Sequence, residues 1–366
     1  MAVSLTLILL GIALRLPDRL HFARSRPHTG AVARLMALQR ERANNHTPVL
    51  LLLGQWVQVV GWWGVAAAGG PLGMAVCAAA VAVHFRHLQE ISHFAVHRVL
   101  TRSPRLGDLL AEHAVHRPLG LVPVPVRRQR HVRDHHPNAT GPGDPNLAEL
   151  RTAGLRPGTP RIRFALALVH PLTPCGAWAT ARTLAVALCP RPGAPARCLT
   201  AIAVLTAAYL TGGWDVVLCG VLLPRLLLYP QLAWMSLIVE HTWFDPDRRS
   251  GAPVHIEAGR CLRLYPRNRL LSVLAATTWL PYGDLHHFAH SAHPALRWNF
   301  LLPAERHLGQ PHFTPHALLL GPGSVVARHR RALTTCVRAP QNAPSPDAGL
   351  LDTDAVRTDA TYASNR

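Results

Sequence analysis

Histidines gather in three short clusters along this chain. The first is His93-Phe-Ala-Val-His97, the second His131-Val-Arg-Asp-His135-His136, and the third His286-His287-Phe-Ala-His290-Ser-Ala-His293. A single histidine, His241, follows an apolar run in Val-Glu-His-Thr. On a helix, positions i and i+4 share a face, so His93 and His97 suit two ligands to one metal ion. The second cluster, followed by Gly143-Asp-Pro-Asn146, is too dense to read as surface decoration. Taken in order, the clusters predict a site for more than one metal. Imidazole suits iron, copper or zinc, whereas a site poor in carboxylates disfavours magnesium and calcium. A soluble carboxylate-bridged di-iron bundle needs a pair of Glu-x-x-His motifs. Only Glu90-Ile-Ser-His93 fits that pattern, so this alternative fails.

Metal-bound imidazoles usually donate their second N–H to an orienting group. Glu90, Asp134 and Asp144 are the nearby acids that could accept it. His113 and His116 read as solvated or as lying behind the ligands, and His84 and His87 read as structural, since they fall off the His93/His97 stripe. The remaining histidines show no pattern.

The elements that must position these clusters are mostly apolar. Hydrophobic residues make up 49% of the chain and charged residues only 16%, against the roughly 25% charged of a soluble domain. Residues 3–14 are apolar but short for a span, and an Arg-rich stretch, 15–47, follows; together they read as an N-terminal interfacial segment. Residues 48–66 have the length of a crossing, then turn through an uncharged Ala/Gly/Pro stretch into a second run, from Pro71 to about residue 98, that carries the first cluster. Residues 98–161 are polar and hold the second cluster in a Pro/Gly-rich loop. Two further runs, 199–213 and 214–240, meet at Thr211-Gly-Gly-Trp-Asp215, and Pro224 and Pro230 predict a kink in the later one. Arg225 within that run is expected to snorkel or to meet an acidic headgroup. The mixed segment 164–188 decides the topology: if it lies on the surface, all clusters share one side, and if it crosses, the last is stranded.

All 38 basic residues are arginine, against 19 acids, and the pI is near 11.3. Nucleic-acid binding is one reading of that charge. The arginines sit between long apolar runs, however, which favours the excess that membrane proteins keep in cytoplasmic loops. Seven cysteines form no Cys-x-x-Cys pair, which argues against a zinc ribbon, an iron–sulfur domain or a dithiol motif.

The pattern as a whole resembles the membrane fatty acid desaturases and related hydroxylases. These carry H-x-x-x-H, H-x-x(x)-H-H and H-x-x-H-H boxes, held on the cytosolic face by a pair of membrane hairpins. The run from Arg98 to Leu110 is similar to the family's usual continuation after its first box, and His241 matches an additional histidine before the third. The resemblance covers roughly residues 48–310. It implies an all-α integral membrane protein with about four spans and a cytosolic helical cap. Residues 311–338 would form a cytosolic extension and 339–366 an unstructured tail. It further implies iron, as a pair of ions, bound by His93, His97, His131, His135, His136, His241, His287, His290 and His293. O2 would be co-substrate, a lipid or acyl chain the substrate, and a separate ferredoxin or cytochrome b5 the electron donor. Desaturation is the first reading; hydroxylation or a carotenoid hydroxylase or ketolase reaction on the same scaffold is the variant. One departure stands out: Ser291 follows His290 where the family has a second histidine, so either His293 or His286 supplies the missing imidazole or one iron has a ligand fewer, which would favour hydroxylation or another outcome.

Readings from other classes fit less well. A metal transporter wants acids or histidines in mid-span, but the runs are nearly acid-free. A haem-binding electron carrier needs histidines facing each other from different spans, whereas the second cluster lies in a loop.

Overall fold

The computed structural model describes residues 1–188, 194–245, 250–264, 268–308 and 313–338. The tail expected at 339–366 lies outside the described residues. Among those described, the fold is helical, with isolated β-bridges such as His241 to Cys261 and no strand. Helix is the natural outcome for such apolar runs, because it bonds every backbone N–H and C=O within the segment.

Helix α1 (Ala2–Ser25) packs antiparallel along α2 (Thr47–Ala68): Ser4 lies against Gly61 and Gly64, and Gly11 against Gly54 and Gln58. A Cβ on Gly54 would come within 2.6 Å of the Gly11 carbonyl oxygen, so the close crossing depends on both residues lacking one. The helix is twice the length of its apolar run, since the sequence beyond residue 14 stays helical through Pro17. A turn at Gly69 leads into α3 (Gly70–Val96), which packs along α2 as the first expected hairpin.

The polar stretch 98–161 is not the loop its composition suggests. It folds into short helical pieces ending in α4 (Pro145–Thr152), and α5 (Arg161–Leu168) and α6 (Pro174–Leu188) follow. Helices α5 and α6 have 8 and 15 residues and are parted around His170. At 1.5 Å per residue even the longer reaches only about 22 Å, short of a roughly 30 Å bilayer core.

Helix α7 (Ala194–Val217) continues through π-type turns at Leu218–Leu222 and Pro224–Leu228 into α8 (Tyr229–Glu240). Gly212 and Gly213 leave helical geometry, Gly213 with φ 67° and ψ −155°, a conformation open essentially to glycine. The chain reverses there: Arg197 before the glycines and Arg225 after them reach the same stretch, donating to the carbonyls of Leu121 and Leu119 respectively. Arg225 therefore neither snorkels nor awaits a headgroup; it is buried and satisfied by backbone.

Among the described residues, three helical segments are long and apolar enough to cross a membrane: Ala43–Ala68, Gly70–Val96 and Ala194–Glu240, the last of them folded back at its glycines. The shorter elements cover one end of these helices: α9 (Pro253–Arg260), α10 (Arg269–Thr277), α11 (His287–Ala292), α12 (Trp298–His307) and α13 (Val325–Arg338). Buried Leu147, Trp234, Ile238, Leu262, Leu280 and Val325 form the apolar core beneath this cap.

Candidate metal centre

The last turn of α3 carries His93, and His97 caps it. The helix stops there by a Schellman arrangement, with Arg98 N–H bonded to Ala95 O and Val99 N–H to Phe94 O. Arg98 takes the left-handed conformation (φ 62°) usually left to glycine, a strained choice right beside the site. His93 Nδ1 donates to Glu90 Oε1 at 2.8 Å, which leaves Nε2 with its lone pair facing His97 Nε2 at 3.1 Å.

The second cluster sits on a π-type turn, Gln129–His135, rather than in an irregular loop. The wider turn brings i and i+5 together: His131 and His136 face each other with their Nε2 atoms 3.2 Å apart. His131 Nε2 also lies 2.7 Å from His93 Nε2. His135 is buried and donates through Nδ1 to Asp144 Oδ1 at 2.9 Å. The Gly-Asp-Pro-Asn stretch thus has a structural reason. Asp144 caps α4 by accepting Asn146 N–H and also accepts Thr140 N–H, so its carboxylate is fixed before it meets the imidazole.

His241 leaves α8 in extended conformation and sets Nδ1 on Arg260 O at 3.2 Å. Its Nε2 faces His287 Nε2 at 3.0 Å. A tight turn at Tyr282 and Gly283, both with positive φ, brings in α11, on which His287 and His290 stand one turn apart. The His290 ring centroid is 4.7 Å from those of both His93 and His97, yet neither of its buried nitrogens has a hydrogen-bond partner.

Donor atoms of His93, His97, His131 and His290 all lie within 4.8 Å of one another; those of His241, Cys261 and His287 do likewise, and those of Glu240, Asp284 and His287 form an overlapping group. The ring of His135 stands 5.2 Å from that of His241, which puts it beside the second group. Burial, with the neighbouring imidazoles, holds His97, His131, His136, His241 and His290 well below the usual imidazole range. They are therefore neutral, the form that donates a lone pair to a metal. His287 moves the other way: burial opposes its charge, but Glu240 and Asp284 outweigh burial and raise it. Converging donor atoms, with the unpartnered, buried His290 nitrogens among them, make a donor set that suits a cation.

Eight of the nine histidines singled out from sequence converge here. His293 is outside both groups, at the end of α11 and half-buried. His286 bonds Glu305 Oε2 at 2.9 Å instead. Ser291 Oγ donates to Glu257 Oε2 at 2.6 Å, so its hydroxyl is committed away from the histidines. Of the acids proposed as orienting groups, Glu90 and Asp144 hold imidazoles, whereas Asp134 accepts from Gln129 near the surface. His84 and His87 bond Gln55 below the site, and buried His116 bonds Val122 O, while His113 is exposed. Arg86, Asp284, Glu257 and Cys261 were not legible as site residues. A signal existed for two of them: Arg86 lies four residues before Glu90 and seven before His93 on one helix face, and Asp284 three before His287.

A family model described as fatty acid desaturase matches residues 69–318, a stretch holding every one of these groups. Comparison with curated proteins and with solved structures finds no match.

Proposed function

The chain belongs to the fatty acid desaturase family, and from that premise we propose a membrane-bound oxidoreductase that uses two iron ions and O2 to introduce a C=C bond into a lipid or fatty acyl chain. The observation that supports this reading most is the meeting of eight histidines, drawn from distant parts of the sequence, in two adjoining groups at one end of the long apolar helices. His93, His97, His131 and His290 would hold one ion, and His135, His136, His241 and His287 the other.

Bound iron supplies the activation of O2 and the removal of hydrogen from an unactivated C–H bond, chemistry beyond any side chain. The chain's own residues prepare the ground for it. Glu90, Asp144 and the Arg260 carbonyl each take an Nδ1–H, so that His93, His135 and His241 present Nε2 inward. Burial of His93, His135, His241, His287 and His290 keeps bulk water from the reacting position. With the chain folded back at Gly212 and Gly213 within α7, the long helices would make two hairpins and four crossings. The Arg-rich connections then lie with the histidines on the cytoplasmic face. An external donor of the ferredoxin or cytochrome b5 type delivers the electrons.

Hydroxylation or ketolation on the same scaffold is the second reading, and Ser291 is the observation that favours it. With its hydroxyl bonded to Glu257, it gives the second group one imidazole fewer than the full box pattern. Expression in a host of known lipid composition, followed by mass spectrometry of extracted lipids, tests both. Loss of two hydrogens from an acyl chain supports desaturation, and gain of one oxygen supports the second reading. An unchanged lipid profile with an iron-loaded, reduced enzyme contradicts both.

A further inference from the structure

Arg86 lies on α3 and is buried, and its hydrogen bonds go to none of the clustered histidines. Every one of its five N–H bonds has an acceptor, the full capacity of a guanidinium. Nε donates to Trp279 O at 3.0 Å; Nη1 donates to Gln89 Oε1 at 3.2 Å and Glu90 Oε2 at 2.9 Å; Nη2 donates to Ser236 Oγ at 2.9 Å and Asp284 Oδ2 at 2.5 Å. The carboxylates it grips are each divided between two tasks. Glu90 turns its other oxygen to His93 Nδ1, and Asp284 turns its other oxygen toward His287 Nδ1 at 3.8 Å. His93 belongs to the first group of donors and His287 to the second.

We propose that Arg86 is a positioning residue common to both metal positions, fixing Glu90 behind His93 and Asp284 behind His287 through one planar guanidinium. The proposal rests on the two-ion reading above and adds to it a physical link between the halves. Packing alone does not explain this arrangement. A buried guanidinium needs an acceptor for every donor wherever it sits, but here two of those acceptors are acids that each face a histidine of a different group. The charge balance agrees. Two buried carboxylates beside one guanidinium leave a net negative charge under the imidazoles, which favours cations above them, and Arg86 keeps the two acids from repelling each other apart. Lysine would not replace it, since an ammonium is a point donor that cannot span both acids in fixed geometry.

The test is a titration of metal-stripped, detergent-purified full-length protein with Co2+, read by its visible absorption and by metal content after gel filtration. The set comprises Arg86→Gln, Arg86→Lys, Glu90→Gln, Asp284→Asn and the double variant Glu90→Gln/Asp284→Asn, with helix content and melting followed throughout. Two Co2+ in the parent uphold the reading on which the proposal rests, and failure of the parent to bind any overturns that reading independently. The proposal expects Glu90→Gln and Asp284→Asn each to weaken one binding event by about 10–100-fold, the usual cost of losing an orienting partner, and the double variant to weaken both. Folded Arg86→Gln or Arg86→Lys should alone weaken both. Retention of either site at parental affinity in a folded Arg86 variant overturns it. Should both Arg86 variants fail to fold, the acid variants decide: weakening of the same single event by both acids, or of neither, overturns it as well.

Discussion

The Nε2 atoms of His241 and His287 stand 3.0 Å apart in a buried setting. Two lone pairs would repel at that distance, so a proton or a cation must lie between them. Burial, and then the neighbouring His287, hold His241 well below the usual imidazole range, while the Glu240 and Asp284 carboxylates raise His287 against its burial. The contact suits an N–H···N bond, which the acids favour with the proton on His287, or a cation in that proton's place.

Metal uptake is expected to compete with protons for His287, whose affinity for them is raised. Adding Fe2+ or Co2+ to metal-free protein in weak buffer at neutral pH should acidify the solution, as read by an indicator dye. The His287→Ala variant should release less. Metal uptake with no pH change contradicts the shared-proton account.

Acid should destabilise the metal-free fold through buried histidines that are not among the clustered ones. Burial lowers His329 from 6.5 to about 4, and His116 to about 3. A depressed folded pKa means the unfolded chain binds more protons over that interval. The contribution of these groups is complete above pH 6.5 and is lost as pH falls from there toward 4 and 3. Melting temperature should fall across this window, and His329→Gln should flatten the slope. A melting temperature that does not change between pH 7 and pH 4.5 would contradict the burial of these rings.

Asp144→Asn should weaken metal binding by about 10–100-fold while leaving the α4 cap largely intact, because asparagine also caps well. Asp144→Ala should lose the cap too, at about 1 kcal/mol more in stability. Metal titration and thermal melting separate the two effects; equal metal affinity in Asp144→Asn and parent would remove Asp144 from the site.

Ser291→Ala leaves the buried Glu257 carboxylate without its 2.6 Å donor. A loss of about 1–3 kcal/mol is expected, visible as a lower melting temperature. Ser291→His, which restores the family's box, should shift the lipid product profile if this position decides between desaturation and oxygen insertion.

Much of the site was legible because its ligands come in short, locally periodic groups. His93 and His97 share a helix face whatever surrounds them, and the order of the boxes carries the rest. The support for those ligands was harder to read. Arg86 meets Asp284 across 198 residues of chain, and no local pattern announces such a pair. The π-type turn under His131 and His136 escaped for a different reason: Pro, Gly and Arg dominate the surrounding composition, and with only His135 of the turn buried no apolar periodicity marks a helix there. Helix α1 was underestimated because its contact with α2 depends on glycines, which hydropathy cannot weigh.

The most direct test of the whole account is elemental analysis of detergent-purified protein, parent beside the His135→Ala/His290→Ala double variant. The account predicts about two irons per chain in the parent and a clear loss from the variant, one ligand being removed from each group. Zinc as the sole metal, or iron that survives the double change, would contradict it.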